Sequence, residues 1–203
     1  MKVFVTGAAG YVASHVIVEL VANGVEVLGV DNFSNAHPSA VDRLTSLTGE
    51  KFDFEVLDLR DRSKVKKAVI DRGIDAVLHF AGLKSVSDSV AVPLNYYENN
   101  VAGSVNLLLA MEAAGIFKFV FSSSATVYGE PSELPLHEAS PVNPALNPYG
   151  QTKLQIELML RELAKSSKDW SIAALMYFNP IGAHPSGMIG ENPSDIPNNL
   201  MPY

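Results

Sequence analysis

The chain has 203 residues, of which 47% are hydrophobic and 18% are charged, so it is long enough to bury one sizeable core. Its 15 basic and 22 acidic residues give a net charge of -7 without any basic run, which argues against nucleic acid as a partner. The absence of cysteine excludes disulfides, and no run of ~18 apolar residues could span a membrane, so we expect a cytoplasmic protein.

Short β-branched runs alternate with longer helical patterns along the chain. The predicted strands are 2–6, 25–30, 52–57, 76–80, 117–121 and 172–177. Most are apolar throughout, as is typical of strands covered on both faces of a parallel sheet. The predicted helices are 11–23, 63–72, 93–115 and 148–166, with a weaker one at 39–47. This alternation predicts an α/β fold, a Rossmann-type doubly wound parallel sheet with strand order 3-2-1-4-5-6.

The pattern changes after Asn179, where the sequence PIGAHPSGMIGENPSDIPNNLMPY is dense in proline, glycine and asparagine. Such a composition ends a regular sheet. We therefore assign residues 1–180 to the Rossmann domain. Residues 181–203 are interpreted as a lid or as the start of a second, smaller domain.

A glycine turn follows the first strand, in TGAAGYVASH, with Gly7 and Gly10 ahead of a helix. Glycines let phosphates approach the backbone, and a helix N-terminus favours negative charge. The second strand ends in Asp31, about 20 residues further on, where a carboxylate would bind an adenosine ribose and repel a 2'-phosphate. This placement favours NAD over NADP, although Asp31 could instead be a cap or turn residue. Asp58, which closes the third strand, could reach the adenine.

The fourth predicted strand leads into HFAGLKSVSDSV, where the small residues Ala81 and Gly82 would let a cofactor cross the carboxyl edge of the sheet. Lys84 is either a phosphate partner or a solvated lysine. In the next predicted helix, Asn99 and Asn100 are unusual in a helix-favouring stretch, so one of them could face the cofactor.

The five histidines show no metal-like spacing, and we assign no metal site. They are His15, His37, His79, His137 and His184. His79 lies inside an apolar strand, which indicates a hydrogen-bonded core residue rather than a ligand.

The chemistry is predicted by Tyr149 and Lys153, which stand four residues apart in a helix that should begin at Asn147 and Pro148. Residues spaced by four are neighbours on a helix surface. A free tyrosine has a pKa near ~10, and a fixed cation would favour its phenolate, a base for a substrate hydroxyl. Ser124 would bridge substrate and tyrosine. The alternative is an amphipathic helix with an exposed lysine.

These pieces resemble the UDP-glucose 4-epimerase family of extended short-chain dehydrogenase/reductases. The resemblance extends over the whole chain, through TGAAGYVASH, DNFSN, HFAGLKSV, YYENNVAGS, FSSSATVYG, NPYGQTK, YFNPIGAHPSG and IPNNLMPY. The glycine turn and the Y-x-x-x-K spacing identify only the superfamily. SSSATVYG, YFNPIGAHPSG and IPNNLMPY are much narrower.

The resemblance also implies which residues form the site. The catalytic set is Ser124, Tyr149 and Lys153. The NAD contacts are Gly7, Gly10, Tyr11, Val12, Asp31, Asn32, Phe33, Ser34, Asn35, Ala36, Asp58, Leu59, Phe80, Ala81, Gly82, Leu83, Lys84, Asn99, Ser122, Tyr149, Lys153, Tyr177 and Phe178. The positions that meet the UDP-sugar are Lys84, Ser124, Tyr149, Asn179, Asn199 and Leu200.

The implied reaction is a NAD-dependent 4-epimerisation of a UDP-hexose through a 4-keto sugar. Tyr149 would deprotonate the 4-hydroxyl while hydride leaves the same carbon and later returns to the opposite face. Family members commonly form homodimers through helices that correspond to 93–115 and 148–166. The family continues for well over a hundred residues beyond position 203, so we expect a truncated nucleotide-sugar domain. The chain should then hold NAD but bind UDP-sugar poorly.

Two other functions stay open. One is a related nucleotide-sugar enzyme, such as a 4,6-dehydratase or a uronate-acting epimerase. Dehydratases usually carry an Asp-Glu pair after the catalytic Thr or Ser, whereas Ala125 and Thr126 follow Ser124 here. The other is a noncatalytic NAD-binding module that controls a partner.

Overall fold

The computed structural model of the protein describes residues 1–49, 52–70 and 72–191. In this part of the chain, six parallel strands form one sheet in the order β3-β2-β1-β4-β5-β6. The strands are β1 (Lys2–Thr6), β2 (Glu26–Asp31), β3 (Phe52–Val56), β4 (Ala76–His79), β5 (Lys118–Ser122) and β6 (Ser171–Leu175). The predicted Rossmann-type α/β fold and its strand order are confirmed.

Helices connect the strands as a parallel sheet requires. They are α1 (Tyr11–Ala22), α2 (Ser39–Thr48), α3 (Arg62–Val69), α4 (Val86–Ala91), α5 (Pro93–Tyr96), α6 (Gly103–Ala113) and α7 (Pro148–Ser166). A π-helical turn, Tyr97–Ala102, joins α5 to α6, and a 3-10 helix covers Ala125–Tyr128. None of the described helices is both long and apolar enough to cross a bilayer.

The predicted helix at 93–115 is the one that differs most from the structure. It is interrupted by the π-helical turn, which a hydrophobic pattern with a period of 3.6 residues cannot indicate. The short helix α4 was not predicted either. It depends on a local cap, since the Ser85 hydroxyl accepts a hydrogen bond from the Asp88 backbone N–H, 3.3 Å away.

The core lies on both faces of the sheet, because successive side chains of a strand point to opposite sides. Phe4 packs with Leu107 and Ile156 on the face covered by α3, α6 and α7. Val3 and Val5 pack with α1 and α2 on the other face. The strands are therefore fixed between two apolar layers, and their carboxyl ends meet at one edge.

The strand order reverses between β1 and β4, which are paired neighbours in the middle of the sheet. Thr6 at the end of β1 is in register with Val30 of β2 and His79 of β4. The loops that follow β2 and β4 therefore leave the sheet on either side of Gly7. In doubly wound sheets this is the crevice where ligands bind.

After β6, the described residues up to 191 form neither helix nor strand. This agrees with the change of composition after Asn179. β6 itself is mostly exposed, although its sequence SIAAL is largely apolar, because it lies at the edge of the sheet.

Candidate cofactor and active site

A groove of about 760 Å³ runs along the carboxyl edge of the sheet. It is lined by the glycine turn, the ends of β2, β4 and β5, the start of α7 and part of 177–191. Most predicted site residues meet here. They are Gly7, Gly10, Tyr11, Val12, Asp31, Asn32, Ser34, Asn35, Ala36, Leu59, Phe80, Ala81, Gly82, Lys84, Asn99, Ser122, Ser124, Tyr149, Lys153, Tyr177, Phe178 and Asn179.

A few predicted site residues are not part of this lining. Phe33, Asp58 and Leu83 are absent from it, and Asn199 and Leu200 lie outside the described residues. Asp58 stands behind Asn32, whose Nδ2 donates to Asp58 Oδ2 over 3.1 Å. It also forms an ion pair of 2.7 Å with Arg60, whose guanidinium holds the pKa of the Asp58 carboxyl well below its usual range. Asp58 therefore fixes a residue of the lining.

The glycine turn brings the backbone of β1 against the loop after β4. Gly7 has φ = 68°, and a Cβ atom there would lie 2.7 Å from the backbone nitrogen of Ala81. Only glycine avoids both the strain and the clash. The Gly10 N–H donates to the Gly7 carbonyl over 2.9 Å, and no side chain caps the helix α1 that follows. The N-terminal amides of α1 are thus available to an anion in the groove.

Asp31 connects the glycine turn to the end of β2. Its carboxylate accepts hydrogen bonds from the backbone N–H of Ala9 (3.1 Å) and of Phe33 (2.8 Å). Burial raises the pKa of Asp31, and these backbone amides oppose that rise. Asp31 is therefore a turn residue that also lines the groove, and each of its oxygens has acceptor capacity for a ligand hydroxyl.

The helix α7 begins as predicted. The Asn147 side chain accepts a hydrogen bond of 2.8 Å from the Gly150 N–H, and Pro148 is the first helical residue. This cap fixes where the helix begins. Tyr149 and Lys153, four residues apart, face the same groove, next to Ser124, which lies two residues after the end of β5.

Lys153 is an almost fully buried cation. Its side chain is 5% exposed, and Nζ donates to the Ser122 carbonyl over 2.8 Å. Nζ also lies 4.9 Å from the centre of the Phe121 ring and 6.0 Å from that of Tyr149. Burial lowers the pKa of Lys153 to about 8. The alternative of an exposed, solvated lysine in an ordinary amphipathic helix is wrong.

The predicted lowering of the Tyr149 pKa is not found. Burial raises the pKa of this phenol, and the neighbouring Ser124 hydroxyl lowers it by less. Desolvation of the phenolate therefore outweighs the hydrogen bond from Ser124, although the Lys153 ammonium lies only 6.0 Å from the ring centre. The two side chains are near each other, but their proximity alone does not produce a phenolate at neutral pH.

His79 lies directly beneath the groove and is a core residue, as predicted. Nδ1 bonds the Thr6 hydroxyl (2.7 Å), and Nε2 bonds the Ser104 hydroxyl (2.8 Å). Ser104 donates onward to the Asn100 carbonyl, so His79 Nε2 carries the proton and Nδ1 accepts from Thr6. Burial lowers the pKa of His79 to about 3, so the ring is neutral.

Asn100 is a site residue that the sequence indicated only in part. Its side chain is buried, with Oδ1 accepting from the Leu83 N–H (2.8 Å) and Nδ2 donating to Thr152 Oγ1 (3.0 Å). It ties the loop after β4 to α7, whereas Asn99 lines the groove. The polar pair in a helical stretch was the signal, and the π-helical turn decides which asparagine turns inward.

Two acidic residues of the site were missed. Glu157 is 3% exposed and accepts a hydrogen bond from Ser123. Glu191 forms an ion pair of 2.8 Å with Lys84 and lines the groove. Glu157 could have been found from its spacing of four residues after Lys153, but the sequence carries no signal that brings positions 84 and 191 together.

The arrangement fits a dinucleotide. The glycine turn offers backbone amides without a side chain in the way, Asp31 offers a carboxylate, and Tyr149, Ser124 and Lys153 offer a phenol, an alcohol and an ammonium further along the same groove. Such a set can bind phosphates at one end and move a proton at the other.

Comparison with known proteins also indicates a dinucleotide-binding protein. Residues 3–202 match the model of the NAD dependent epimerase/dehydratase family. The chain is 53% identical over 203 residues to UDP-glucose 4-epimerase of Bacillus subtilis (strain 168), covering all of this chain and 60% of that protein. It therefore spans about 60% of the length of this curated relative.

Solved structures of two epimerases are also similar. One is UDP-glucose 4-epimerase from Bifidobacterium longum in complex with NAD+ and UDP, with a TM-score of 0.95, 44% identity and coverage of 98% of this chain and 60% of that one. The other, from Stenotrophomonas maltophila, has bound NAD and formylated UDP-arabinopyranose, with a TM-score of 0.95, 48% identity and coverage of 100% and 60%. With a family model matched over nearly its whole length, the chain belongs to the NAD dependent epimerase/dehydratase family.

Proposed function

We propose that the chain binds NAD in the groove and carries the proton-transfer chemistry of a UDP-hexose 4-epimerase. The observation that carries this proposal is the convergence of Ser124, Tyr149 and Lys153 on the groove that Gly7 and Asp31 also line. The similarity to epimerases with NAD and UDP ligands supports it.

The cofactor would be bound mainly by backbone. The amides at the start of α1 would hold its diphosphate, because Gly7 leaves them uncovered, and Asp31 would accept hydrogen bonds from the adenosine ribose. A 2'-phosphate beside the Asp31 carboxylate would be repelled, which favours NAD over NADP. When bound, NAD supplies the hydride acceptor and donor of the reaction.

The protein's own part in the reaction is proton transfer at Tyr149 Oη. Tyr149 would accept the proton of the sugar 4-hydroxyl, with Ser124 as the second group in contact with that hydroxyl. Lys153 would stay charged at neutral pH because its pKa is about 8, and its ammonium would stabilise the phenolate. The 4-keto sugar that results would then be reduced from its opposite face, which gives the C4 epimer.

Only part of the substrate-binding site would lie within these 203 residues. Residues 1–180 would form the NAD domain, and 181–203 would begin the domain that holds the nucleotide sugar. Lys84 and Asn179 line the groove and would meet the substrate together with Ser124 and Tyr149. The chain spans about 60% of the length of its relatives, so we propose that these 203 residues bind NAD well and UDP-sugar weakly.

A homodimer is the proposed assembly, through α5, α6 and α7. Exposed leucines follow this surface, with Leu94 80%, Leu109 39% and Leu158 49% exposed. Burial of such side chains between two copies would be favourable. Without cysteines, the chain fits the reducing cytoplasm, which stays the expected location.

The proposal is tested by calorimetry with NAD and then by the absorbance of reduced nicotinamide after UDP-galactose is added. We expect NAD to bind at micromolar concentration and a reduced signal to appear in the original chain. Tyr149→Phe should bind NAD unchanged and lose the signal. NAD binding with no signal in either protein would instead favour the noncatalytic module. Absence of NAD binding up to about 1 mM would contradict both functions.

A further inference from the structure

Three consecutive serines, the last residue of β5 and the two that follow it, contact α7 at three positions. Ser124 lies beside Tyr149, the Ser122 carbonyl accepts from Lys153, and the Ser123 hydroxyl donates to Glu157. Residues 149, 153 and 157 are spaced by four and therefore share one face of the helix. Glu157 is the member of this row that the proposed chemistry does not use.

Glu157 is a buried carboxylate held on both sides. Its side chain is 3% exposed, Ser123 donates to Oε1, and Arg161 Nη2 lies 3.5 Å from Oε2. Arg161 is 56% exposed, so it brings only a weakened charge to this pair. A buried carboxylate is unfavourable unless it is paired, and its nearest buried ionisable neighbour on the helix is Lys153, one turn away.

The surroundings of Lys153 explain why it needs such a neighbour. His79 on β4 is neutral. On β5, the ammonium of Lys153 contacts the Phe121 ring and the Ser122 carbonyl. On α7, Tyr149 carries a phenol, so among the described residues that share this helical face Glu157 carries the carboxyl group. On the side of Glu157, the 3-10 helix adds Tyr128, which is also a neutral phenol whose pKa is raised by burial.

We propose that Glu157 is a positioning residue for the proposed reaction: its buried carboxylate, fixed by Ser123 and Arg161, keeps Lys153 charged beside Tyr149. This inference rests on the function proposed above. It gives a role to the Y-x-x-x-K-x-x-x-E spacing, in which each member is one helical turn from the next.

The ionisation of Lys153 agrees with this arrangement. Burial lowers the pKa of Lys153 to about 8, and the attraction of Glu157 opposes that lowering. Without the carboxylate, the pKa of Lys153 should fall further by about 1 or more, since side chains four apart on a helix are neighbours and a neighbouring opposite charge shifts a pKa by about that amount. With a pKa of about 7 or below, Lys153 would then lose half or more of its charge at neutral pH, where Tyr149 needs a cation.

The test is an NMR titration of the 203-residue chain with 13Cε-labelled lysine, which reports the pKa of Lys153 without any cofactor or substrate. Lys153→Met identifies the signal. We expect Glu157→Gln, which keeps the shape and the bond from Ser123, to lower the Lys153 pKa by about 1 or more. Glu162→Gln removes the same charge from an exposed position of α7 and should leave the Lys153 pKa within about 0.2.

Glu157→Asp separates charge from shape. Because aspartate keeps the charge, the Lys153 pKa should follow the order Glu, Asp, Gln from highest to lowest. A purely structural role predicts the opposite order for the two variants, since glutamine is the better fit. If Glu157→Gln does not fold, a Lys153 pKa in Glu157→Asp within about 0.5 of the value measured in the original chain supports the proposal, and a larger fall overturns it. In the folded glutamine variant, a change smaller than about 0.3 overturns it as well.

The outcome is independent of turnover. If the reduced-nicotinamide signal is absent but the Lys153 pKa falls in Glu157→Gln, the proposed function fails and the electrostatic role of Glu157 stands. If the signal is present, its pH profile in Glu157→Gln should lose its alkaline limb at a pH lower by the same amount as the Lys153 pKa. An unchanged profile would overturn the positioning role while leaving the proposed function intact.

Discussion

The two halves of the groove are built from different materials. The glycine half, formed by Gly7, Gly10 and Asp31, presents backbone amides whose placement is fixed by steric exclusion. The serine half, formed by Ser124, Tyr149 and Lys153, presents side chains, and burial sets the ionisation of Tyr149 and Lys153. At Gly7 there is no room for an added Cβ atom. In the serine half, burial of the Lys153 ammonium opposes folding. The comparison indicates that cofactor binding is limited by steric fit, whereas proton transfer is limited by the burial of ionisable side chains.

The largest effect is expected from Gly7→Ala, in the glycine half. The added Cβ would lie 2.7 Å from backbone that cannot move aside, at a residue with φ = 68°. We expect a loss of about 3 to 4 kcal/mol in the free energy of unfolding, from strain plus overpacking. Urea unfolding followed by the fluorescence of the buried Trp170 measures it.

Gly24→Ala is the matched control for Gly7→Ala. Its φ is 80°, but nothing lies within 4 Å of the added Cβ. Only the backbone strain remains, and we expect a loss of about 1 kcal/mol. Equal losses for the two variants would contradict the steric account of the turn.

The next largest effect is the pH dependence of stability that the buried His79 produces. His79 has an ordinary pKa of 6.5 that burial lowers to about 3, so its contribution to stability is present above pH 6.5 and is lost as the pH falls towards 3. Between about pH 7 and pH 4.5 this loss amounts to about 2 to 3 kcal/mol. The measurement is the free energy of unfolding at the two pH values.

Variants isolate the histidine from the carboxyl groups that titrate in the same range. Between about pH 7 and pH 4.5, the free energy of unfolding of His79→Gln should fall by about 2 to 3 kcal/mol less than that of the original chain. His37→Gln, which changes an exposed histidine, should keep the original pH dependence. The account fails if both variants follow the original curve.

A smaller effect of opposite sign is expected from Lys153→Met, in the serine half. The lowering of the pKa from 10.5 to about 8 corresponds to about 3 kcal/mol of unfavourable burial at neutral pH. Loss of the hydrogen bond to Ser122 offsets about 1 kcal/mol of that. The variant should therefore be more stable by about 1 to 2 kcal/mol.

The same linkage gives the pH dependence of Lys153 in the original chain. A lysine with a lowered pKa binds fewer protons when folded, so stability should rise between pH 8 and pH 10.5, where the unfolded chain still binds the proton. Lys153→Met should abolish that rise. Lys165→Met, at an exposed position of α7, should change stability by less than about 0.5 kcal/mol and keep the rise.

The smallest effect concerns the segment 177–191, which touches both halves. Glu191 pairs with Lys84, and Tyr11 donates to the Gly182 carbonyl over 2.6 Å. Since Lys84 is partly exposed, we expect Glu191→Gln to weaken the segment by only about 0.5 kcal/mol, seen as amide hydrogen exchange about twofold faster in 177–191. Glu162→Gln should leave that exchange unchanged.

Much of the fold could be predicted because the apolar runs are short, β-branched and separated by helical patterns. β1 and α7 have the predicted bounds, and the Asn147 cap forms as expected. The interrupted helix around Asn100 was not predictable, because a π-helical turn is selected by the buried bonds of Asn100 to Leu83 and Thr152. Those partners are distant in sequence.

The candidate site shows the same division. Gly7, Asp31, Tyr149 and Lys153 were identified because short motifs fix their spacing on one turn or one helix. The pairing of Lys84 with Glu191 joins positions 107 residues apart, and no local pattern indicates it. The raised pKa of Tyr149 was also beyond reach, since it depends on how much solvent the packed groove excludes.

By itself, the sequence determined the order of strands and helices, the glycine turn at Gly7 and the helical face shared by Tyr149 and Lys153, because each depends on the local conformation of a few neighbouring residues. The tertiary structure alone decided which ionisable groups lose their water. Burial depends on what every distant element contributes to the same space, and that is why the charge of Lys153 and the neutrality of His79 emerge only when sheet and helices are packed together.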